Sequence, residues 1–292
     1  MSSLGIKVEP ISTGNPVAVG GVGGSGTRVV AHLMQELGFD MGTDLNHSLD
    51  DLCFTALFKR RALWPIEDNI AELAEALPIY LTARGNPTPQ TISLERHQKR
   101  ANSLLEKLVA EDGWQEEGAV TDRQDTLTAV SESSPRWGWK EPNTHIVLPF
   151  LFQALPHMKY VHVIRNGLDM AYSANQNQLN LWGEVLLGRP VDNRIPSDAL
   201  DYWCRVHERL LSFLPDASER ILIIRFESLL QRPDSVLKTM GEFLDLEITP
   251  ETLARWQRAL SVPASLGRHT EEPSLSIDDE QTELLAQFGY IV

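Results

Sequence analysis

The stretch Val17-Ala-Val-Gly-Gly-Val-Gly-Gly-Ser-Gly-Thr-Arg-Val-Val30 opens as a short apolar run, breaks into a glycine-dense loop and re-emerges with helical periodicity. Glycines let a backbone fold tightly around an anion, and the unpaired N–H groups of the helix start that follows face it with the positive end of the helix dipole. Ser25 and Thr27 add hydroxyl donors. A phosphate cradle on Gly23, Gly24, Ser25, Gly26 and Thr27 is the expectation. The loop lacks the Gly-Lys-Ser/Thr ending of an ATP- or GTP-binding loop and does not follow the dinucleotide spacing. A tight strand-to-helix turn is the competing reading.

A second apolar run, Lys159-Tyr-Val-His-Val-Ile-Arg-Asn-Gly-Leu-Asp-Met-Ala-Tyr-Ser173, ends in a basic residue and leads into a helix. Arg165 can fork two hydrogen bonds onto a phosphate, and Ser173 can add a donor from the side. Both anion sites then lie at the carboxyl ends of strands, where open α/β sheets bind their ligands.

In these two segments the chain resembles the sulfotransferases that use 3′-phosphoadenosine 5′-phosphosulfate (PAPS). In that family a Ser-Gly-Thr loop holds the 5′-phosphosulfate and an Arg…Ser strand-helix unit holds the 3′-phosphate. Trp139-Lys-Glu-Pro142 is similar to the family's lysine segment, with Lys140 placed before Arg165 as in the tyrosylprotein branch. Ile221-Leu-Ile-Ile-Arg-Phe-Glu-Ser-Leu-Leu230 looks like the family's later strand, and Ser265-Leu-Gly-Arg-His269 like its C-terminal basic loop. The resemblance runs from about Val17 to His269. It implies an α/β fold, one domain over residues 16–292 behind a flexible segment 1–15, with a central parallel sheet in a P-loop NTPase-like three-layer sandwich.

The resemblance also implies roles. Gly23 to Thr27 would hold the phosphosulfate of PAPS. Arg165 and Ser173, joined by Gly267 and Arg268, would hold the 3′-phosphate, and Phe226 would stack near the adenine. One departure is Gly24, where the family usually carries lysine or arginine before Ser-Gly-Thr; Arg28, a turn further on, is the candidate to compensate. Lys140 is then the cation expected at the transferred group. The general base is left open between His47 and Asp50, with Glu141 and His145 behind them. A helix N-terminal carboxylate is the competing reading of Asp44 and Asp50.

The implied reaction is in-line transfer of a sulfuryl group from PAPS to a hydroxyl or amine, releasing 3′,5′-adenosine bisphosphate (PAP), with no metal required. The acceptor would be a small molecule, a sugar or a peptide, and the seven tryptophans are candidate platforms for it. The alternatives are a non-catalytic PAP-sensing module and an atypical P-loop kinase, the latter disfavoured by the missing cradle lysine.

Composition fits this reading. The 292 residues, 42% of them hydrophobic, suffice for one sizeable α/β core. A formal charge of −14 argues against a protein that coats nucleic acid or an anionic membrane, so a nucleotide must be held by focused cations. Cys53 and Cys204 suggest neither a disulfide framework nor a metal site, which points to a reducing compartment. With no basic-then-apolar leader and no membrane-length apolar run, a cytoplasmic protein is expected. Oligomeric state stays open, a homodimer included.

Helices are expected over 66–77, 94–108, 144–154 and 197–214, the last capped by Ser197 or Asp198. Gln176 to Pro196, with Gly183, Gly188 and two prolines, reads as a surface loop or a gate over the site.

Overall fold

The computed structural model describes residues 8–11, 14–86, 93–110 and 123–290. Of the N-terminal segment expected to fray, residues 1–7 and 12–13 lie outside the described residues; Ile11 donates its N–H to the Ala154 carbonyl at 2.8 Å.

Along the chain come β1 (Val17–Gly21), α1 (Thr27–Glu36), α2 (Leu52–Phe58), α3 (Ile70–Ala83), α4 (Leu94–Ala110), α5 (Gln124–Thr128) and β2 (Gly138–Lys140). There follow α6 (Thr144–Ala154), β3 (Lys159–Ile164), α7 (Gly167–Ala171), α8 (Asn177–Leu187), α9 (Pro196–Ala217) and β4 (Ile221–Arg225). Four more helices close the described chain: α10 (Phe226–Gln231), α11 (Pro233–Leu244), α12 (Pro250–Ala259) and α13 (Asp279–Gln287). The strands form one sheet in the order β2-β1-β3-β4, with β2 parallel to β1 and β4 parallel to β3. The expected α/β fold with a parallel sheet is therefore present. All five residues of β1 are buried, as a parallel strand covered on both faces requires, and this explains its unbroken apolar run.

The chain divides into two compact units, Met1–Val19 with Met34–Lys159, and Gly20–Leu33 with Tyr160–Val292. The first holds an aromatic core in which Phe54 stacks on Trp139 at 5.1 Å, with Tyr80 edge-on to both. Asp51 caps α2 by accepting from Phe54 N–H at 2.9 Å, and its other oxygen takes Arg84 at 2.7 Å and the Tyr80 hydroxyl at 3.0 Å. The helix-capping carboxylate is thus Asp51, not Asp44 or Asp50. The second unit is cored by Trp203, whose ring lies 4.2 Å from His207 and 6.0 Å from Phe288.

Two expectations are corrected. Gln176 to Pro196 is not a loop: most of it is helix α8, which Gly188 ends in a left-handed conformation (φ 67°). Gly183 sits inside α8 because a side chain there would meet Leu179 and Val191. Helix α9 begins at Pro196 with no side-chain cap, because Asp198 instead accepts from Arg189 at 2.8 Å and from Asp192 N–H at 2.7 Å.

Candidate functional site

The glycine-dense loop lies in the second unit, between the end of β1 and the start of α1. Gly24 and Gly26 take φ of +93° and +100°, values that L side chains rarely adopt, and a Cβ at Gly26 would overlap the Phe226 ring. The loop carries donors. Ser25 Oγ is buried with no hydrogen-bond partner among the described residues, and the N–H groups of Thr27 and Arg28 precede the first bonded turn of α1, which Val29 N–H opens by donating to the Gly26 carbonyl at 2.9 Å. The start of the loop is pinned by α8, where Gln178 donates to the Gly21 carbonyl at 3.1 Å. Arg28 is exposed on the first turn of α1.

The residues expected at the second anion site lie beside the loop within the same unit. A Cβ at Gly24 would lie 3.6 Å from Ser173 Oγ. Arg165 follows β3 and is buried; its Nη1 donates to Ser265 Oγ at 3.2 Å and its Nη2 to Asp169 at 3.1 Å and to the Ser265 carbonyl. Its guanidinium lies 5.7 Å from the centroid of Phe226. Arg268 donates to the same Ser265 carbonyl at 3.1 Å and to the Tyr172 carbonyl at 3.2 Å. Burial, and after it the nearby Arg165 charge, hold the Arg268 guanidinium below its ordinary pKa. Gly267 starts this turn with φ of 76°. Cradle, Arg165, Ser173, Phe226, Gly267 and Arg268 are thereby brought into one unit, and Phe226 serves there as the packed floor under Gly26 and Arg165.

The remaining predicted residues lie in the first unit. Lys140 ends β2 with 2% exposure, so it is no solvated strand-end lysine. Its Nζ pairs with Asp50 and donates to the Ser48 carbonyl at 3.1 Å. Asn46 shapes the turn that presents both groups: its Oδ1 accepts from Ser48 and Asp50 N–H at 2.9 Å, and its amide donates to Asp50 at 2.9 Å. His47 is the exposed residue of that turn and has no partner among the described residues. Glu141 is buried where α6 starts, accepting from the Asn143 side chain at 2.9 Å and from Asn143 N–H. Burial pushes its carboxyl up to about 7, against the pull of Lys59. His145 is buried in α6.

Sequence reasoning missed Asp169, whose partners Gly267 and His269 are about a hundred residues away. The one signal available was its place four residues after Arg165 on a short helix. The tryptophan platforms are mostly core: Trp137, Trp139, Trp182, Trp203 and Trp256 are buried, Trp64 is half-buried, and Trp114 lies outside the described residues. Cys53 and Cys204 are free and buried. Among the described residues no cluster of His, Cys, Asp and Glu with metal-site geometry occurs, and no helix is long and apolar enough to cross a membrane.

The family profile described as "Sulfotransferase family" matches residues 16–250. No curated protein sequence matches the chain significantly. Among solved structures, the sulfotransferase domain from the Synechococcus PCC 7002 olefin synthase is 15% identical, over 98% of this chain and 99% of that one, with a TM-score of 0.53, a likeness of fold. The sulfotransferase domain from the curacin biosynthetic pathway is 17% identical over 98% and 99% of the two chains, with a TM-score of 0.46. Sulfotransferase STF1 from Mycobacterium tuberculosis H37Rv is 15% identical over 85% and 72%, with a TM-score of 0.40.

Proposed function

This chain belongs to the sulfotransferase family, and from that membership we propose that it moves a sulfuryl group from PAPS to a hydroxyl or amine acceptor, releasing PAP. The observation that carries the reading is the pairing, in one compact unit, of the glycine cradle with a two-arginine cluster: Gly24 approaches Ser173, and Arg165 and Arg268 converge on the Ser265 carbonyl. That pairing suits a nucleotide with an anionic group at each end. The buried Ser25 Oγ and Arg165 Nε, both without partners among the described residues, suit acceptor atoms brought by such a ligand.

In this reading the co-substrate brings the sulfuryl group and the chain supplies grip, charge and a proton acceptor. Gly23 to Thr27 and the start of α1 bind the 5′ end through backbone N–H groups and hydroxyls. Arg28, exposed on the same turn, offers the charge that Gly24 lacks. Arg165, Arg268, the Gly267 turn and Ser173 bind the 3′ end, with Phe226 packed beneath them. Lys140 stabilises the charge that grows on transfer, a preorganised electrostatic task. Asp50 is committed to Lys140 and Asn46, so we assign the acceptor's proton to His47, an imidazole exposed on the same turn with no partner among the described residues.

We take residues 16–292 as one functional domain acting on a small-molecule, sugar or peptide acceptor. The two free cysteines suit a reducing compartment, and we take the enzyme to act in the cytoplasm.

Calorimetric titration with PAP tests this. Micromolar or tighter binding that collapses in Arg165→Ala supports the reading and justifies an acceptor screen with labelled PAPS. Absence of binding to the unsubstituted protein overturns it.

A further inference from the structure

We propose that Asp169 is the positioning residue that makes the site select a 3′-phosphorylated nucleotide, by holding Arg165 and the turn Gly267–His269 in one arrangement. The proposal rests on the nucleotide reading above and deepens it to the question of which nucleotides are accepted.

Asp169 lies on α7 with 1% exposure. Its Oδ2 accepts from Arg165 Nη2 at 3.1 Å and from Gly267 N–H at 2.8 Å. Its Oδ1 accepts from His269 Nδ1 at 2.6 Å and from His269 N–H at 3.3 Å. One buried carboxylate therefore receives four donors from two segments that are distant in the chain. Burial alone would raise its pKa, but the His269 side chain, the two backbone N–H groups and Arg165 together hold it below the ordinary carboxylate range. Asp169 is thus a fixed anion.

Its partners are the groups assigned to the 3′-phosphate. Held by Asp169 and Ser265, the Arg165 guanidinium loses its rotational freedom before any ligand arrives, so less entropy is lost on binding. The turn it clamps carries Arg268, which shares the Ser265 carbonyl with Arg165. The buried carboxylate between these two arginines is Asp169, and Glu272, the other carboxylate acting on Arg268, is exposed and screened by solvent, so a doubly charged phosphate meets two guanidinium groups there. None of these bonds reaches the cradle at Gly23 to Thr27. Loss of Asp169 should therefore weaken the grip on a 3′-phosphate and spare the 5′ end. A carboxylate that merely stabilised the fold would lower both affinities alike.

The test compares the affinities of PAP and adenosine 5′-phosphate in the unsubstituted protein, in Asp169→Asn and in His269→Ala. Asp169→Asn keeps shape and volume but replaces an anion with a neutral group that can accept at only one atom. Its expected effect is a loss of PAP affinity of about tenfold or more, as for charge-assisted bonds, with adenosine 5′-phosphate affinity unchanged. His269→Ala removes one donor from a half-exposed position, keeps the core intact and should lower the PAP preference by a smaller factor. An undiminished preference for PAP in Asp169→Asn, or an equal fall for both nucleotides, overturns the role of Asp169. If Asp169→Asn does not fold, the ratio in His269→Ala decides, an unchanged preference overturning the proposal. Failure of the unsubstituted protein to bind PAP is a separate result, and it overturns the co-substrate reading itself.

Discussion

The Lys140 ammonium is ion-paired with Asp50 and also donates to the Ser48 carbonyl at 3.1 Å, so a lysine whose side chain is 3% exposed is oriented by one five-residue turn. A buried cation held in this way is preorganised, and its removal should cost rate more than nucleotide affinity. Lys140→Ala is expected to lower sulfuryl transfer by about 10²- to 10³-fold, in the range of other lost charge-stabilising donors. Asp50→Asn keeps the lysine but loosens its hold, and is expected to lower transfer less and to cost about 1–3 kcal/mol of stability through the poorly paired ammonium. Initial rates with labelled PAPS and PAP titrations on the same preparations check this. A PAP affinity that falls in step with turnover would make Lys140 a binding residue.

Two buried groups give pH dependences of opposite sign. Burial raises the Glu141 carboxyl from its ordinary 4.5 to about 7, so its contribution to stability is complete below about pH 4.5 and is lost as pH rises through 7. His207, whose Nδ1 faces the Trp203 carbonyl at 2.6 Å, is pushed by burial from 6.5 down to about 3. Its contribution is complete above pH 6.5 and is lost as pH falls toward 3. Between about pH 4.5 and 6.5 the two slopes cancel. Glu141→Gln removes one of them, so the stability of the parent minus that of the variant should fall by about 1.4 kcal/mol per pH unit across pH 4.5 to 7. Urea unfolding at half-unit pH steps measures this, and a flat difference would mean that Glu141 titrates normally.

Asp51 offers a contrast with Asp50, its neighbour. Its carboxylate holds Arg84 at 2.7 Å, the Tyr80 hydroxyl at 3.0 Å and the α2 cap, all within the aromatic core of the first unit. Asp51→Ala leaves a buried guanidinium without its main partner and should destabilise by about 3–5 kcal/mol. Nucleotide affinity below the melting temperature should be unaffected, since no atom of this cluster belongs to the second unit. Thermal unfolding and a PAP titration of the variant separate the two effects.

The strand-to-helix turns at Val17–Val30 and Lys159–Ser173 were legible in the sequence because each is a local pattern, in which strand end, glycine or arginine, and helix start lie within fifteen residues. What escaped depends on distant partners. Asp169 acquires its role from a turn about a hundred residues downstream, which no spacing rule could reveal. Helix α8 was hidden by glycines and prolines, although Pro190 and Pro196 follow its end and Gly183 is there for close packing. The window Asp44 to Asp51 offers several carboxylates with the same local chemistry. Only the tertiary structure separates Asp50, which holds Lys140, from Asp51, which caps α2 and holds Arg84.

Gly24 stands where related sequences were expected to carry a cation, and its backbone explains why a cation cannot simply be restored. At φ of +93° an L residue is strained, and a Cβ there would sit 3.4 Å from Met170 Cε, in ordinary contact, so the obstacle is conformation and not space. Gly24→Lys should therefore destabilise the protein by about 1–3 kcal/mol and weaken PAP binding despite its added charge. Gly24→Ala should show much the same loss, since the penalty lies in the backbone. Arg28→Ala, on the exposed face of the α1 first turn, should leave stability within about 0.5 kcal/mol, as surface substitutions do, yet lower PAPS turnover if its charge stands in for the missing lysine. Melting temperatures, PAP titrations and transfer rates for the three variants check this together. A Gly24→Lys variant that binds PAP more tightly than its parent would show that the loop can relax around a side chain, and would remove the backbone argument.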